Sequence, residues 1–358
     1  MVAGIGTDNR DRQAGWVCAY TPLEILLAAG LEPVRLFGSP GGTEGADAAL
    51  NPNICPYVRA CLQQGLDGRA PAAMVFAGCC DGIRRLYDAW SYCCQADFTF
   101  LMDVPRASLG GSAAMYNNSV GRLASALEGY TGREITARGL RKAIGARREV
   151  DGILTGFSEA MVRGYDPPGE ESLRIYTDAQ ELPPADFISR YSSRGWGDGV
   201  AGGRSNGKPV VITGNLLASG ALLEMIGDCG GSVAALDLCS AGRFPALTPD
   251  TGEAEPYPAD RNGLLSYLAR AYMSRTPCPR MLESTERHAH VLKLVIDSGA
   301  RGVIYVPLMF CDSFLYDLPR LKDKVDAAGI PGLVLVSDYR DDNEGQMRTR
   351  VEAFMEML

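Results

Sequence analysis

The chain has 358 residues, 46% of them hydrophobic and 22% charged, which is enough to build two or more domains with their own cores. A net charge of −8, with Lys and Arg scattered rather than striped, argues against a nucleic-acid surface. No stretch approaches the roughly 18 uninterrupted apolar residues of a membrane span, and the opening MVAGIGTDNRDRQAG has no apolar signal core, so a soluble cytoplasmic protein is expected.

The first organised segment, YTPLEILLAAG followed by LEPVRLFG, reads as a helix and a strand. Thr21 and Glu24 have the spacing of a capping box, Pro22 suits the first helical position and Gly30 supplies the stop. NPNICPYVRACLQQGL continues at helical spacing with Val58, Cys61 and Leu62 on one side. AAMVFAGC then reads as a buried strand, and Ile83, Leu86, Tyr87 and Trp90 recur as the stripe of an amphipathic helix. FTFLMDVPR adds a strand and completes an N-terminal α/β domain over residues 1–111.

Residues 112–200 change character. Charged, helix-favouring sequence, broken at YDPPGEES and ELPPAD, predicts a helical insert that closes on the Gly- and Ser-rich run SSRGWGDGVAGGRSNGKP. Residues 201–358 return to alternation: PVVITGNLL, SVAALDLC, GVIYVPLMF and PGLVLVSDY as strands, separated by helices that include one over Ser284 to Ser298. GQMRTRVEAFMEML ends the chain as a helix. Alternating strands and helices predict two doubly wound, parallel α/β domains.

Two nucleotide-binding motifs fail on context. Gly202, Gly207 and Lys208 have phosphate-loop spacing, but Pro209 replaces the required Ser or Thr and the segment precedes a strand instead of following one. GWGDG has no preceding strand and reads as a loop.

The cysteines carry the chemistry. Eleven thiols in a reducing compartment suit metal or redox work better than disulfides. Cys80, Cys239 and Cys311 each close a predicted buried strand, and the carboxyl ends of strands are where open α/β sheets gather ligands. A thiolate at the amino end of a helix is stabilised by unsatisfied N–H groups and the helix dipole, a setting that Cys80 before Asp81 fits most clearly. Three such thiolates suggest an iron–sulfur cluster with one iron open, and the alternative reading of each is a close-packed core residue. Cys55 and Cys278, in turns beside proline, and Cys79 are weaker candidates, and Cys18 is undecided. Cys61, Cys93, Cys94 and Cys229 read as packing residues. No C-x-x-C pair occurs, so zinc-ribbon and ferredoxin-type sites are not supported. His288 and His290, the only histidines, face different sides of a helix, which argues against a histidine metal site or a serine–histidine triad. Arg84 and Arg85 read as the solvated side of their helix.

Taken together, GWVCAYTPLEILLAAGLEPVRLFG, NICPYVRACL, GCCDGIRRLYDAW, GGSVAALDLCSAGR, GVIYVPLMFCDSFLYDLP and IPGLVLVSDY with GQMRTRVEAFMEML resemble the 2-hydroxyacyl-CoA dehydratase component D family. That family includes benzoyl-CoA reductase subunits and double-cubane cluster proteins, and the resemblance runs along nearly the whole chain. It implies two Rossmann-like domains and a helical domain around an oxygen-sensitive [4Fe-4S] cluster, with the family's cluster cysteines falling on Cys80, Cys239 and Cys311.

The resemblance further implies an ATP-hydrolysing activator that injects one electron into the cluster. A ketyl radical then forms from the thioester carbonyl of a 2-hydroxyacyl-CoA, and loss of the 2-hydroxyl gives an enoyl-CoA. It brings Thr21 and Glu24 near the cluster as candidate catalytic residues, and it implies a homodimer or a heterodimer with a related subunit. The doubled Cys79 and Cys80 and the additional Cys278 leave a second reading open. In it, Cys55, Cys80, Cys239, Cys278 and Cys311, with Cys18 or Cys79, hold an [8Fe-9S] double cubane in a homodimeric reductase of small molecules. A third reading is a non-catalytic electron carrier or scaffold.

Overall fold

The computed structural model describes residues 9–38, 42–107, 111–196, 206–244, 257–282, 284–340 and 344–358. Its first sheet contains β1 (Gln13–Trp16), β2 (Glu32–Arg35), β3 (Ala73–Gly78) and β4 (Phe98–Asp103), interleaved with α1 (Leu23–Ala28), α2 (Glu44–Ala49), α3 (Pro56–Leu66) and α4 (Asp81–Cys93). Four helices follow: α5 (Ser112–Thr131), α6 (Ala137–Val162), α7 (Gly169–Glu181) and α8 (Pro184–Tyr191). Then come β5 (Lys208–Gly214), α9 (Ala221–Asp228), β6 (Gly231–Asp237), α10 (Arg261–Met273), α11 (Ser284–Ser298), β7 (Gly302–Val306), α12 (Asp312–Ala327), β8 (Gly332–Val334) and α13 (Glu344–Met357).

The chain divides into two compact units. Unit 1 comprises residues 1–151, 179–188 and 246–275, and unit 2 comprises 152–178, 189–245 and 276–358. Each contains one four-stranded, all-parallel sheet, ordered β2-β1-β3-β4 in the first and β6-β5-β7-β8 in the second. The fold is therefore α/β with two Rossmann-like domains, as the alternation predicts. In both sheets the chain winds outward on one side of its first strand and then returns to build the other side. The topological switch points thus lie between β1 and β3 and between β5 and β7, where such sheets open a crevice at their carboxyl ends.

Burial explains the strands. All residues of β3, β6 and β7 are buried, as expected of parallel strands covered on both faces. In unit 2 the sheet packs through Val211, Ala235, Val303 and Tyr305 against Val291 and Val295 of α11 and Leu321 and Val325 of α12. In unit 1 the predicted stripe of α4 buries Ile83, Leu86 and Trp90, and the indole of Trp90 meets Phe76 of β3 edge-on at 5.5 Å.

The structure extends and trims the sequence reading. QAGW forms β1, an interior strand that periodicity does not reveal, and α2 is likewise additional. The strand expected over GVIYVPLMF stops at Val306, because Pro307 has no N–H for the ladder, and the PGLVLVSDY strand shortens to Gly332–Val334. Gly202 and GWGDG beyond Trp196 lie outside the described residues, whereas Lys208 opens β5 and donates to the carbonyl of Met355. Among the described residues no helix is long and apolar enough to cross a membrane.

Candidate metal centre

All eleven cysteines carry thiols. In unit 1, Cys18 follows β1 and Cys79 and Cys80 follow β3, so these thiols flank the first switch point. Cys80 is the N-cap of α4 and Cys55 the N-cap of α3, both without a side-chain cap bond, so neither sulfur is spent on its own helix. Gly82 separates the two: a Cβ there would stand 3.9 Å from both Cys55 Cβ and Cys80 Sγ. The Cys79 thiol is pushed well above its ordinary value by hydrogen bonds with Cys18 and Cys80, and further by burial. The thiols of unit 1 thus form a group of Cys18, Cys79 and Cys80 with Cys55 beside it.

A second group of thiols lies beyond the carboxyl ends of the strands of unit 2. Cys239 follows β6, and Cys311, reached through a loop after β7, is the N-cap of α12, again without a side-chain cap bond. Phe310, directly before Cys311, adopts a left-handed φ of 57°, a turn uncommon for an aromatic residue that aims the chain into α12. Cys278 is hydrogen-bonded to Cys239, and that bond together with burial raises its thiol well above the ordinary value.

Two N–H donors point at these sulfurs. Asn215, immediately after β5, donates Nδ2 to Cys311 Sγ at 3.2 Å. Its Oδ1 accepts the Leu308 N–H at 2.9 Å and its backbone carbonyl accepts the Cys239 N–H at 2.7 Å. Arg243 donates Nη2 to Cys239 Sγ at 3.3 Å. Neither Asn215 nor Arg243 was singled out by sequence; the available signal was a polar residue closing a buried strand in VVITGN and a basic residue in the tight DLCSAGR turn.

Among the described residues, no group of three or more His, Cys, Asp or Glu side chains is arranged to hold a single metal ion. The donor chemistry nevertheless suits a thiolate-ligated cluster. The candidate ligands are soft sulfurs, and two of them already accept N–H bonds of the kind that support ligating cysteines.

Thr21 and Glu24 require a correction. The predicted capping box does not form: α1 begins at Leu23 with Pro22 as N-cap and no side-chain cap bond. Thr21 instead turns back after β1, its N–H donating to Cys18 O at 2.9 Å, and its buried Oγ1 has no hydrogen-bond partner. Glu24 is fully buried and accepts a bond from the Tyr272 hydroxyl at 3.0 Å, while the Leu23 N–H donates to that hydroxyl at 3.1 Å. Burial drives the Glu24 carboxyl above its ordinary value, against the lowering influence of Arg147 and Arg275, and its Oε1 has no partner. Arg275 lies over the Tyr272 ring and donates to Ala19 O at 2.7 Å, and Tyr116 donates to Tyr20 O at 2.5 Å. Tyr116 of α5, Tyr272 of α10 and Arg275 just beyond α10 therefore hold the segment from Ala19 to Glu24 that follows β1.

Of the cysteines read as packing residues, Cys61 is buried and Cys94 and Cys229 are half-buried, whereas Cys93 is exposed, so the packing reading fails for it. Cys61 is buried with its thiol pushed up to about 12 by desolvation, and Cys93 and Cys94 end α4. His288 is buried and paired with Asp317 at 2.7 Å, whereas Arg84 and Arg85 are exposed on α4.

The sequence profile of the family described as 2-hydroxyglutaryl-CoA dehydratase, D-component, matches residues 18–358. The chain is 24% identical to the (R)-phenyllactyl-CoA dehydratase beta subunit of Clostridium sporogenes, over 96% of this chain and 91% of that one. It is 26% identical to a benzoyl-CoA reductase subunit of Thauera aromatica, over 95% and 88% of the two chains. With the beta subunit of (R)-2-hydroxyglutaryl-CoA dehydratase of Acidaminococcus fermentans it shares 23% identity, over 95% and 90%. With two parallel α/β units and a match that leaves out only the first residues, the chain belongs to the 2-hydroxyglutaryl-CoA dehydratase D-component family.

Proposed function

We propose that the chain is an iron–sulfur subunit of a 2-hydroxyacyl-CoA dehydratase-type enzyme, with Cys80, Cys239 and Cys311 as thiolate ligands of a [4Fe-4S] cluster. The observation that carries this reading is the placement of thiols at the carboxyl ends of strands beside both switch points, with Asn215 and Arg243 donating N–H bonds to two of the sulfurs. When bound, such a cluster supplies single electrons at low potential and an open iron that acts as a Lewis acid.

The chain's own residues have separable tasks. Cys80 and Cys311 offer sulfurs at the amino ends of α4 and α12, where the helix dipole favours thiolate. Asn215 orients Cys311 through its amide and Cys239 through its carbonyl. Glu24, whose carboxyl burial raises above its ordinary value, has an Oε1 without a protein partner and its other oxygen fixed by Tyr272, which suits a role in proton transfer. Thr21 Oγ1 is the second unpartnered group on that segment.

The relatives are named as subunits, which supports a partner, either a related subunit or a second copy of this chain, and an acyl-CoA substrate. A separate ATP-hydrolysing activator would deliver the electron, and eleven thiols suit the reducing cytoplasm.

A second reading draws on a specific observation: the two units together place seven thiols near their strand ends, more than the three or four that one cubane needs. The Cys79 thiol is hydrogen-bonded with Cys18 and Cys80, Cys55 lies across Gly82, and the Cys278 thiol is hydrogen-bonded with Cys239. Such a set suits an [8Fe-9S] double cubane in a reductase of small molecules. Iron and acid-labile sulfide on anaerobically prepared protein separate the two, with about four irons per chain for the cubane and about eight for the double cubane. Turnover of 2-hydroxyacyl-CoA thioesters with an activator then tests the dehydratase reading itself.

A further inference from the structure

Beneath the Cys239 thiol lies a buried network of charges. Asp237, the last residue of β6, is fully buried, and Arg243 and Arg287 around it are buried as well. Arg243 Nη1 donates to Asp237 Oδ2 at 2.8 Å, Thr213 donates to the same oxygen at 2.5 Å, and Arg287 approaches it at 3.6 Å. The second arm of Arg243 reaches past the carboxylate, with Nη2 shared between Gly214 O at 2.6 Å and Cys239 Sγ at 3.3 Å.

The backbone delivers this guanidinium by a tight turn. The Leu238 N–H donates to Ala241 O and the Arg243 N–H to both Leu238 O and Ala241 O, folding the chain back on the strand end. Gly242 makes the turn with φ +65°, and a Cβ there would collide with Leu236 O. Cys239 is consequently gripped from two directions, by the Asn215 carbonyl at its N–H and by Arg243 at its sulfur.

We propose that Arg243 is a positioning residue that sets the reduction potential of the cluster ligated by Cys239, with Asp237 as the clamp that fixes its fork. The inference rests on the proposed function in one respect, that Cys239 is a ligand. A charge-assisted N–H bond to a ligating sulfur withdraws electron density and favours the reduced, more negative cluster, and potentials respond to such bonds. Burial strengthens the effect, because little solvent screens a guanidinium on this network. A buried ion pair adds little stability over apolar packing of equal volume, so stability alone does not account for this one. The planar fork matters as well as the charge, since one arm is committed to Asp237 and the other to Cys239; lysine cannot do both.

The test is an EPR-monitored redox titration of anaerobically reconstituted full-length protein, with iron content and melting temperature recorded alongside. Wild type is compared with Arg243→Lys, Arg243→Gln and the double variant Arg243→Gln with Asp237→Asn, which removes both charges of the pair and so guards against simple misfolding. The expected result is a shift of about tenfold in the reduction equilibrium, ~59 mV for one electron, toward more negative potential in Arg243→Gln, and a smaller shift in the same direction in the double variant, where loss of the Asp237 carboxylate acts the opposite way. The shift should be smaller in Arg243→Lys. Iron loading and potentials equal to wild type in both Arg243→Gln proteins would overturn the proposal and leave a structural ion pair. Loss of iron from both, at wild-type melting temperature, would overturn it in favour of a role in ligand placement alone. A wild-type chain that binds no iron would instead refute the proposed function, and this inference with it.

Discussion

Asn215 donates its side-chain amide to Cys311 Sγ at 3.2 Å while its backbone carbonyl accepts the Cys239 N–H at 2.7 Å, so one residue at the end of β5 fixes the loops that follow both β6 and β7. Asn215→Asp keeps the acceptor for the Leu308 N–H but turns the donor at Cys311 into a repelling carboxylate. It should fold with near wild-type melting and lose most of its bound iron in a ferrozine assay. Asn215→Leu also leaves the buried Leu308 N–H unpaired, which should cost about 1–3 kcal/mol in urea unfolding of the metal-free protein.

Glu24 predicts a pH signature. Its folded-state carboxyl is raised above 4.5 by burial, within reach of Arg147, Arg275, Asp151 and the Tyr272 hydroxyl. A raised carboxyl binds its proton more tightly folded than unfolded, so its contribution to stability is full below the unfolded value and is lost as pH rises through the folded one. Glu24→Gln keeps the bond from Tyr272 and has no proton to lose. Wild type should therefore lose melting temperature relative to Glu24→Gln as pH is raised from about 4.5 toward 8. Parallel curves for the two proteins would show that Glu24 does not carry a burial-raised proton.

Gly242 predicts a local failure with a functional consequence. Gly242→Ala forces a Cβ onto the Leu236 carbonyl at a left-handed φ, so the Leu238–Arg243 turn must open. The change should cost about 3 kcal/mol or more in chemical denaturation and reduce iron retention by displacing Cys239 and Arg243 together.

Much of this was legible in the sequence, and the omissions have physical causes. The buried strands AMVFAG and GSVAALD and the cysteine turns after them stand out because apolar runs and helix starts are local signals. QAGW is equally interior to its sheet, but its four residues form a strand only through pairing with β2 and β3, which no window on the sequence contains. The T-x-x-E pattern at Thr21 has capping-box spacing, yet the turn after β1 carries Thr21 into the core, where tertiary packing overrides local propensity. Tyr272 meets Glu24 from 248 positions away, and Arg243 and Asn215 are single polar residues whose role appears only once β5, β6 and β7 are adjacent.

Thiol reactivity separates buried from exposed cysteines. Cys61 is buried with its thiol pushed up to about 12, whereas Cys93 is exposed at the end of α4. Iodoacetamide at pH 8 followed by peptide mass mapping should label Cys93 within minutes and leave Cys61 unmodified until denaturant is added. Rapid labelling of Cys61 in the native protein would contradict its placement in the core.

Cys80, Cys239 and Cys311 are the proposed ligands of an iron–sulfur cluster. The most direct test of this assignment is iron and acid-labile sulfide per chain, with EPR after reduction, on anaerobically reconstituted wild type and on Cys80→Ser, Cys239→Ser and Cys311→Ser. About four irons per wild-type chain are expected, or about eight for a double cubane, with a marked loss in each variant. No iron in the wild type after reconstitution, or full iron in all three variants, would contradict it.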